Sequence, residues 1–541
     1  MAVISQALSE PDLIRIVTEA GTFDSTTGGY QHADIRLRCQ STAAGSLRVS
    51  LQADQTPVSM VTLRWERPMP KEGRYLADEW ERGYGTMGFR GLVPNRIMPW
   101  YFAHVAGGRT SAYGVKVRPD AMCFWQVDSS GITLNMDVRS GGRGVILAGG
   151  TLKLAEVLAL AYEEVDSFEA IRSFCAALCT DPLCAGGPVY GSNNWYYAYG
   201  QSSQAETLAD ADYLAQLSEG NAVRPFLVLD DCWQEDRRSD YNGGPWRQGN
   251  DDFPSMRALA QGISARGVRP GIWARLLLDE SAAIPDEWRL AHTGCLDPTH
   301  PDALAHIAAD VERFCAWGYE LIKHDFSTLD LFGRYGWEMN PLVTQGGWHF
   351  HDRSRTSAQV VKDLYRTILE RAQPYGTLIL GCDTIGHLGA GLMHIDRVGD
   401  DTSGVSWERT RCNGINTLAF RLPQHGTFFD IDADCIGISS SIDWQLNRQW
   451  SDLLARSGTP YFFSARAHSV PAEVEGQLRV DLGRAARPQG ISKPLDWELT
   501  DCPEDWESDG ERRHYSWYGR AGIEFAWHSN RSMPMLSIID E

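Results

Sequence analysis

From about residue 186 onward, short apolar runs alternate with helical patterns eight times, and this alternation restricts the fold more than any other feature. Apolar runs that alternate with helical stretches are typical of βαβ units and therefore of a parallel sheet. Eight such units over roughly 280 residues match the size of a closed (β/α)8 barrel. The sequence therefore predicts an α/β fold built on a TIM barrel.

The predicted barrel elements can be given as residue ranges. The strands are predicted at 189–195, 225–231, 270–274, 320–325, 377–383, 395–401, 427–435 and 460–464. The clearest helical patterns lie at 205–217, 255–266, 303–317, 356–372, 407–420 and 443–457. In such a barrel the carboxyl ends of the strands meet at one face, where the active site lies.

Shorter segments flank the predicted barrel on both sides. Apolar and polar residues alternate at 47–51, 61–65 and 131–136, which predicts antiparallel strands. Residues 1–185 are therefore predicted to form an N-terminal β-sandwich domain that closes with a helix at 166–174, and residues 186–466 to form the barrel. The tail, 467–541, returns to β-like segments such as 516–518 and 523–527, and predicts a small C-terminal β-domain.

Charge and cysteine usage narrow the class of partner. With 50 basic and 70 acidic residues the formal net charge is -20, which disfavours nucleic acid and anionic membrane surfaces. The N-terminal residues lack a basic, apolar leader, and no apolar run is long enough to span a bilayer. The 12 cysteines show no repeated CxxC spacing, as is typical of reduced thiols. We therefore expect a cytoplasmic protein without nucleic-acid or membrane partners, for which homo-oligomer formation stays open.

Acidic, basic and tryptophan side chains gather at the predicted carboxyl ends of the strands. On the fourth strand Lys323 and Asp325 project to the same side, because side chains alternate across a strand. A neighbouring cation favours the ionised carboxylate, so we predict that Asp325 is a catalytic nucleophile. A single strand-end aspartate often only caps the following helix, but the whole set is not explained in that way. The other members are Trp195, Asp230, Asp231, Trp273, Arg275, Cys382, Asp383, Arg397, Asp400, Asp401, Asp432 and Asp434.

Glycoside hydrolysis needs a second carboxylate across the scissile bond. On the sixth strand Asp401 shares a face with Arg397, whereas Asp400 points away, so Asp401 is the predicted acid/base. Asp400 is kept as the alternative, because a β-bulge would exchange the two. The chain also has 19 tryptophans, whose faces stack well on sugar rings, although a tryptophan-rich core explains them equally well.

Five segments resemble, in order and approximate spacing, barrel motifs of the alpha-galactosidase clan, glycoside hydrolase families 36 and 27. They are Asp230-Asp231-Cys232-Trp233-Gln234, Leu321-Ile322-Lys323-His324-Asp325-Phe326, Gly381-Cys382, Arg397-Val398-Gly399-Asp400-Asp401 and Phe429-Asp430-Ile431-Asp432-Ala433-Asp434-Cys435. Each motif alone is weak, and the ordered set is strong. The predicted layout of sandwich, barrel and β-tail is also similar to that of family 36.

The resemblance implies a retaining exo-acting alpha-galactosidase, with Asp325 as nucleophile and Asp401 as acid/base. It implies a small-molecule sugar substrate and no cofactor. It also implies that Asp230 and Asp231 bind the 4- and 6-hydroxyls of a galactose-like ring. The full set of predicted substrate-binding residues is Trp195, Asp230, Asp231, Trp233, Trp273, Lys323, Cys382, Asp383 and Arg397.

Departures from the family pattern leave the sugar open. Cys232 replaces a usual glycine, and Asp383 adds a carboxylate near the position where the clan senses the substituent at carbon 2. The alternatives are an alpha-N-acetylgalactosaminidase, a beta-L-arabinopyranosidase, galactosyl transfer of the raffinose-synthase type, and a non-catalytic carbohydrate-binding homologue. His349 and His351 are two residues apart without a distant third ligand, so no metal site is predicted.

Overall fold

The computed structural model describes residues 2–6, 8–26, 29–238, 240–340, 342–520 and 522–523. Within these ranges the chain forms two large antiparallel sheets, one parallel sheet and one small antiparallel sheet. No helix in the same ranges is both long and apolar enough to cross a membrane.

The two large antiparallel sheets come from the N-terminal part of the chain. Their strands are β1 (Ala2–Ser5), β2 (Leu13–Thr18), β3 (Gly21–Ser25), β4 (Gly29–His32), β5 (Ile35–Ser41), β6 (Leu47–Gln52), β7 (Val58–Trp65), β8 (Arg74–Ala77), β9 (Met98–Pro99), β10 (Tyr101–Ala106), β11 (Arg109–Val115), β12 (Met122–Val127), β13 (Ile132–Asp137) and β14 (Thr151–Glu163). One sheet has the order β4-β5-β6-β14-β11-β10-β8, with β1 on β14, and the other β3-β2-β7-β13-β12-β9. Alternate residues are buried, as Leu47, Val49 and Leu51 are on β6, so each sheet has one core face.

The parallel sheet occupies the centre of the chain. Its strands are β15 (Tyr190–Asn193), β16 (Phe226–Leu229), β17 (Arg269–Ala274), β18 (Leu321–His324), β19 (Leu378–Gly381), β20 (Ile395–Arg397), β21 (Asp430–Asp432), β22 (Ile436–Gly437) and β23 (Tyr461–Ser464). The order is β21-β20-β19-β18-β17-β16-β15-β23-β22. Strands β21 and β22 lie at opposite ends of this order, yet only residues 433–435 separate them in sequence. All eight predicted strands overlap strands of this sheet; the seventh, predicted at 427–435, contains β21 and ends just before β22.

One helix precedes the parallel sheet, and the others follow its strands. They are α1 (Ser167–Leu178), α2 (Trp195–Ala198), α3 (Gln204–Leu217), α4 (Met256–Ala265), α5 (Pro301–Trp317), α6 (Ser327–Phe332), α7 (Ser357–Ala372), α8 (Gly386–Gly389), α9 (Trp407–Thr410), α10 (Asn416–Arg421), α11 (Trp444–Arg456) and α12 (Ala472–Ala485). Side-chain caps fix several starts: the Ser203 hydroxyl accepts from the Glu206 amide, and Thr356 and Gln359 form a reciprocal capping box.

The structure differs from the sequence predictions in two helical regions. The predicted helix 407–420 is interrupted by a π-helical segment, Arg411–Ile415, between α9 and α10. The tail contains α12, which was not predicted, although Val474, Leu478 and Leu482 recur at helical spacing and are buried.

The only antiparallel sheet described in the tail consists of β24 (Lys493–Pro494), β25 (Asp505–Ser508) and β26 (Glu511–His514). Residues 516–518 do not form a strand. Of the predicted strand 523–527, residues 524–527 lie outside the described residues.

Candidate active site

The residues predicted for the site come from the carboxyl ends of adjacent parallel strands. Asp230 follows β16, Lys323 lies on β18, Cys382 follows β19 and Arg397 ends β20. Because parallel strands in register end at the same edge, these side chains gather on one side of the sheet. Two of them, Lys323 and Arg397, line a small cavity of about 20 Å³ together with residues that include Asn193, Trp195, Asp432 and Asp434.

Asp325 is the first residue after β18, and both of its carboxylate oxygens accept hydrogen bonds. The indole Nε1 of Trp273 donates to Oδ2 at 3.0 Å, and the Phe326 amide donates to Oδ1 at 2.8 Å. Burial opposes ionisation, but Lys323, the Trp273 hydrogen bond and Arg82 outweigh it and lower the pKa of Asp325. The group is therefore a carboxylate at neutral pH.

Lys323 and Asp230 form a buried ion pair beside this carboxylate. Lys323 Nζ lies 2.8 Å from Asp230 Oδ2, which also accepts from Asn193 Nδ2 at 2.7 Å. The Asp230 amide donates to Asn194 Oδ1 at 2.8 Å, so the loop after β15 fixes the main chain here as well. Residues at the ends of β15, β16 and β18 thus hold the Asp230 carboxylate and the Lys323 ammonium group in place at the sheet edge.

The neighbouring Asp231 has a different environment. Gln234 Nε2 donates to its Oδ1 at 2.7 Å, and its backbone amide donates to Asp230 Oδ1 at 3.0 Å. Burial raises the pKa of Asp231 to about 6, against the opposing effects of Gln234 and Arg237. This carboxyl is therefore protonated more readily than an exposed aspartate.

Arg397 connects Asp401 with Asp434. Its guanidinium donates to Asp401 Oδ1, and its Nη1 lies 2.9 Å from Asp434 Oδ1. Asp434 has a left-handed backbone, with φ of 77°, and accepts from the Thr402 amide at 2.8 Å and from the Tyr196 hydroxyl. Burial opposes ionisation of Asp401, but Arg397 and Arg409 lower its pKa overall.

Asp400 and Asp401 point in different directions. The Asp401 side chain is 36% exposed, whereas that of Asp400 is 2% exposed. Asp400 Oδ1 lies 3.0 Å from Arg82 Nη2, and burial raises the pKa of Asp400. Of the two, Asp401 is therefore the carboxylate that an incoming ligand would meet.

Residues 80–84, which follow β8, also belong to this site, and sequence reasoning missed them. The Gly83 amide donates to Val398 O and the Asp400 amide donates to Gly83 O, both at 2.8 Å. Gly83 thus forms a parallel bridge with Gly399 just beyond β20. Local sequence gave one signal, the polar pair Glu81-Arg82 inside an otherwise aromatic and glycine-rich stretch.

Glu81 brings a further carboxylate close to Asp383. Burial, and then the charge of Glu81, raise the pKa of Asp383, which is fully buried. The backbone of Asp383 is left-handed, with φ of 50°, and its carbonyl accepts from the Thr328 amide at 3.0 Å and from the Thr328 hydroxyl at 2.8 Å. Cys382 beside it is also buried. Asp383 is therefore locked in place next to Asp325, whose charge also acts on it.

The predicted tryptophans have three different placements. Trp195 is half-buried, lines the small cavity and meets Tyr199 edge-on. Trp273 is buried and donates to Asp325. Trp233 is 0% exposed, packs against Trp246, Phe314 and Trp317, and donates to Trp273 O at 3.0 Å. As placed, the Trp233 ring offers no face to a ligand, and it supports Trp273 instead.

Solved structures share this fold over most of the chain. An alpha-galactosidase from Thermus thermophilus in complex with stachyose matches with a TM-score of 0.58 and 17% identity, over 86% of this chain and 98% of that chain. A GH36 alpha-galactosidase from Geobacillus stearothermophilus matches with a TM-score of 0.57 and 14% identity, over 93% of this chain and 78% of that chain. At these identities the likeness establishes the fold.

Sequence comparison gives a local match. An alpha-galactosidase from Oryza sativa subsp. japonica is 29% identical over 140 residues, which is 26% of this chain and 29% of that relative's length. No family model matches the chain. The resemblance to the alpha-galactosidase clan that the motifs predicted is confirmed by these relatives.

Proposed function

We propose that this chain is a retaining exo-glycosidase that hydrolyses terminal alpha-D-galactosyl residues through two aspartates. The observation that carries the proposal is the pair Asp325 and Asp401. Asp325 is held as a carboxylate by Lys323 and Trp273, and Asp401 is the exposed carboxylate close enough for its charge to act on Asp325. Two such groups on different strands are the equipment of double displacement.

The scaffold that we propose for this chemistry is a closed barrel. Strands β21 and β22 are halves of one strand position, joined by residues 433–435, and closing the sheet there gives eight positions. In this proposal residues 186–466 form the barrel, 1–185 the sandwich domain and 467–541 the C-terminal domain. The extent of the parallel sheet and of the antiparallel sheets on either side supports these boundaries.

In the first step the Asp325 carboxylate attacks the anomeric carbon, and the bond to the leaving oxygen breaks as that oxygen takes the proton of Asp401. Asp401 is paired with Arg397, which lowers its pKa, so this pair has to loosen as sugar hydroxyls reach Arg397 before Asp401 can carry the proton. In the second step Asp401 removes a proton from water, and the water oxygen displaces Asp325. The sugar is released with its original anomeric configuration.

Recognition of the ring in this proposal uses the remaining polar groups. Asp230 and Asp231 accept from the 4- and 6-hydroxyls and Lys323 donates to ring hydroxyls, because charged groups make the strongest hydrogen bonds to neutral hydroxyls. Trp195 shapes the floor of the site. Asp383 lies near Asp325 and would meet the substituent next to the reacting carbon. A small donor such as a hydroxyl fits this buried carboxyl better than an acetamido group.

The proposal is tested by following the hydrolysis of p-nitrophenyl alpha-D-galactopyranoside by NMR. We expect alpha-galactose to be the first product, converting to the equilibrium mixture only later. Release of beta-galactose first would exclude double displacement. The N-acetylgalactosaminide and beta-L-arabinopyranoside analogues, tested in parallel, separate the related activities, and sucrose as acceptor reveals transfer.

A further inference from the structure

Arg82 connects the N-terminal part of the chain with the segment that carries Asp401. Its Nη2 lies 3.0 Å from Asp400 Oδ1 and its Nε lies 3.3 Å from Glu81 Oε1. Its guanidinium carbon lies 5.4 Å from the ring centre of Tyr84 and 5.6 Å from that of Tyr335. Arg82 is buried, so these contacts leave its side chain little freedom.

The backbone around Arg82 is fixed to the same segment. Two hydrogen bonds join Gly83 to residues 398 and 400, and they bracket Gly399. On its other side this segment packs on α10: a side chain at Gly399 would place its Cβ 2.8 Å from Thr417 Oγ1, so only glycine allows the segment to lie this close to the helix. Residues 398–400 are therefore held by backbone bonds on one side and by the Arg82–Asp400 ion pair on the other.

We propose that Arg82 is a positioning residue for the acid/base of the reaction: by holding Asp400 it orients the next residue, Asp401, toward the bond that is cleaved. This inference rests on the proposed function. Arg82 acts through Asp400 and is not itself placed on the substrate. It makes protonation of the leaving group depend on a residue that lies before the barrel in sequence.

The charge of Arg82 adds an electrostatic effect to the positional one. It contributes to lowering the pKa of both Asp325 and Asp401, against the raising effect of burial. Removing it should raise the pKa of each group. The acid limb of kcat/KM, set by ionised Asp325, and the alkaline limb, set by protonated Asp401, should then both move to higher pH.

Arg421 is a matched control at the same interface. It is buried, its Nε lies 3.2 Å from Asp78 Oδ1, and it donates to Glu81 O at 2.7 Å, yet within the described part of the chain none of its hydrogen bonds or ion pairs reaches residues 398–401. Replacing Arg421 by methionine removes a comparable buried ion pair between the N-terminal part and the helices beside β20. This variant shows how much activity is lost when such an ion pair is removed without a direct change at residues 398–401.

The experiment compares Arg82→Met, Arg82→Lys and Arg421→Met in the full chain. The substrates are p-nitrophenyl alpha-D-galactoside, whose leaving group needs little protonation, and methyl alpha-D-galactoside, whose leaving group needs it fully. For Arg82→Met we expect kcat/KM on the methyl glycoside to fall about tenfold further than on the nitrophenyl glycoside, within the usual range for general acid catalysis. Arg82→Lys should recover part of the activity lost on the methyl glycoside. In Arg82→Met, the acid and alkaline limbs of the kcat/KM profile should both move to higher pH.

The inference would be overturned if Arg82→Met and Arg421→Met lowered kcat/KM on the methyl and nitrophenyl glycosides by the same factors and left both limbs of the pH profile unshifted. Arg82 would then have a structural role only. If Arg82→Met does not fold, the double variant Arg82→Met/Asp400→Asn removes both buried charges and should show the same loss of ratio. A wild-type chain that cleaves neither glycoside would instead contradict the proposed function.

Discussion

The indole Nε1 of Trp273 donates a 3.0 Å hydrogen bond to Asp325 Oδ2, and Trp233 Nε1 in turn donates to the Trp273 carbonyl. Two buried tryptophans from neighbouring strand ends therefore hold the proposed nucleophile. Such a chain fixes the direction of the carboxylate and stabilises its charge, because a hydrogen bond to the ionised form favours that form.

Trp273→Phe should test this relationship. Loss of the donor should raise the pKa of Asp325, so the acid limb of kcat/KM moves to higher pH, and kcat/KM should fall about tenfold, comparable to losing one hydrogen bond to a charged group. The matched control is Trp233→Phe, which keeps both donors to Asp325. We expect Trp233→Phe to reduce stability but to leave the acid limb of kcat/KM nearly unmoved. An equal shift of this limb in both variants would contradict a direct role for the Trp273 donor.

Asp325→Gly should separate the nucleophile from the other acids. Turnover should fall at least about a thousandfold, because the covalent step is lost. Azide fits the space left by the side chain and attacks directly, so the product is beta-galactosyl azide. Asp236→Asn, an exposed acid in the loop after β16, should behave as wild type. Formation of the alpha-azide from Asp325→Gly would reassign the nucleophile.

Asp401→Gly should show the opposite pattern. Activity on the nitrophenyl glycoside should be largely kept in the first step, and azide should give alpha-galactosyl azide, because Asp325 is intact. Asp400→Asn should instead lower the free energy of unfolding by about 3 kcal/mol, since buried Arg82 loses the nearer of its two carboxylate partners and keeps only Glu81. Urea unfolding and product analysis distinguish the two. Azide rescue of an Asp400 variant would favour Asp400 as the acid/base.

Asp231→Asn should stabilise the protein at alkaline pH while weakening sugar binding. The pKa of Asp231 rises from 3.8 to about 6 on folding, so its stabilising contribution is present below pH 3.8 and is lost as the pH rises through 6. Asparagine has no charge to bury, so the variant does not lose stability as the pH rises. We expect its free energy of unfolding to exceed that of the wild type by about 1–3 kcal/mol at pH 8, and the difference to shrink toward pH 4.

The control for this prediction is Asp230→Asn. It leaves Lys323 without its carboxylate at 2.8 Å and should destabilise the protein at pH 8. Thermal melts across the pH range compare the variants. A stability gain for Asp231→Asn that is the same at pH 4 and pH 8 would show that the charge of Asp231 is not its cause.

The sequence located the parallel strands well, because each is a short apolar run between turns and the helical period is visible beside it. It also placed Lys323, Asp325 and Arg397 correctly at strand ends. Helix α12 was missed although its apolar spacing was present, and the π-helical segment 411–415 was missed because a single inserted residue leaves the helical pattern almost unchanged.

The sequence by itself determined which residues stand at the carboxyl edge of the sheet, since periodicity fixes strand ends and parallel strands end together. Only the tertiary structure decided what those residues contact. In the folded chain Trp233 is buried in the core, Asp401 is exposed while Asp400 is buried, and Glu81 and Arg82 lie at the carboxyl edge of the parallel sheet. The physical reason is that periodicity reports the faces of one element, whereas ion pairs and burial depend on which distant segment packs against it.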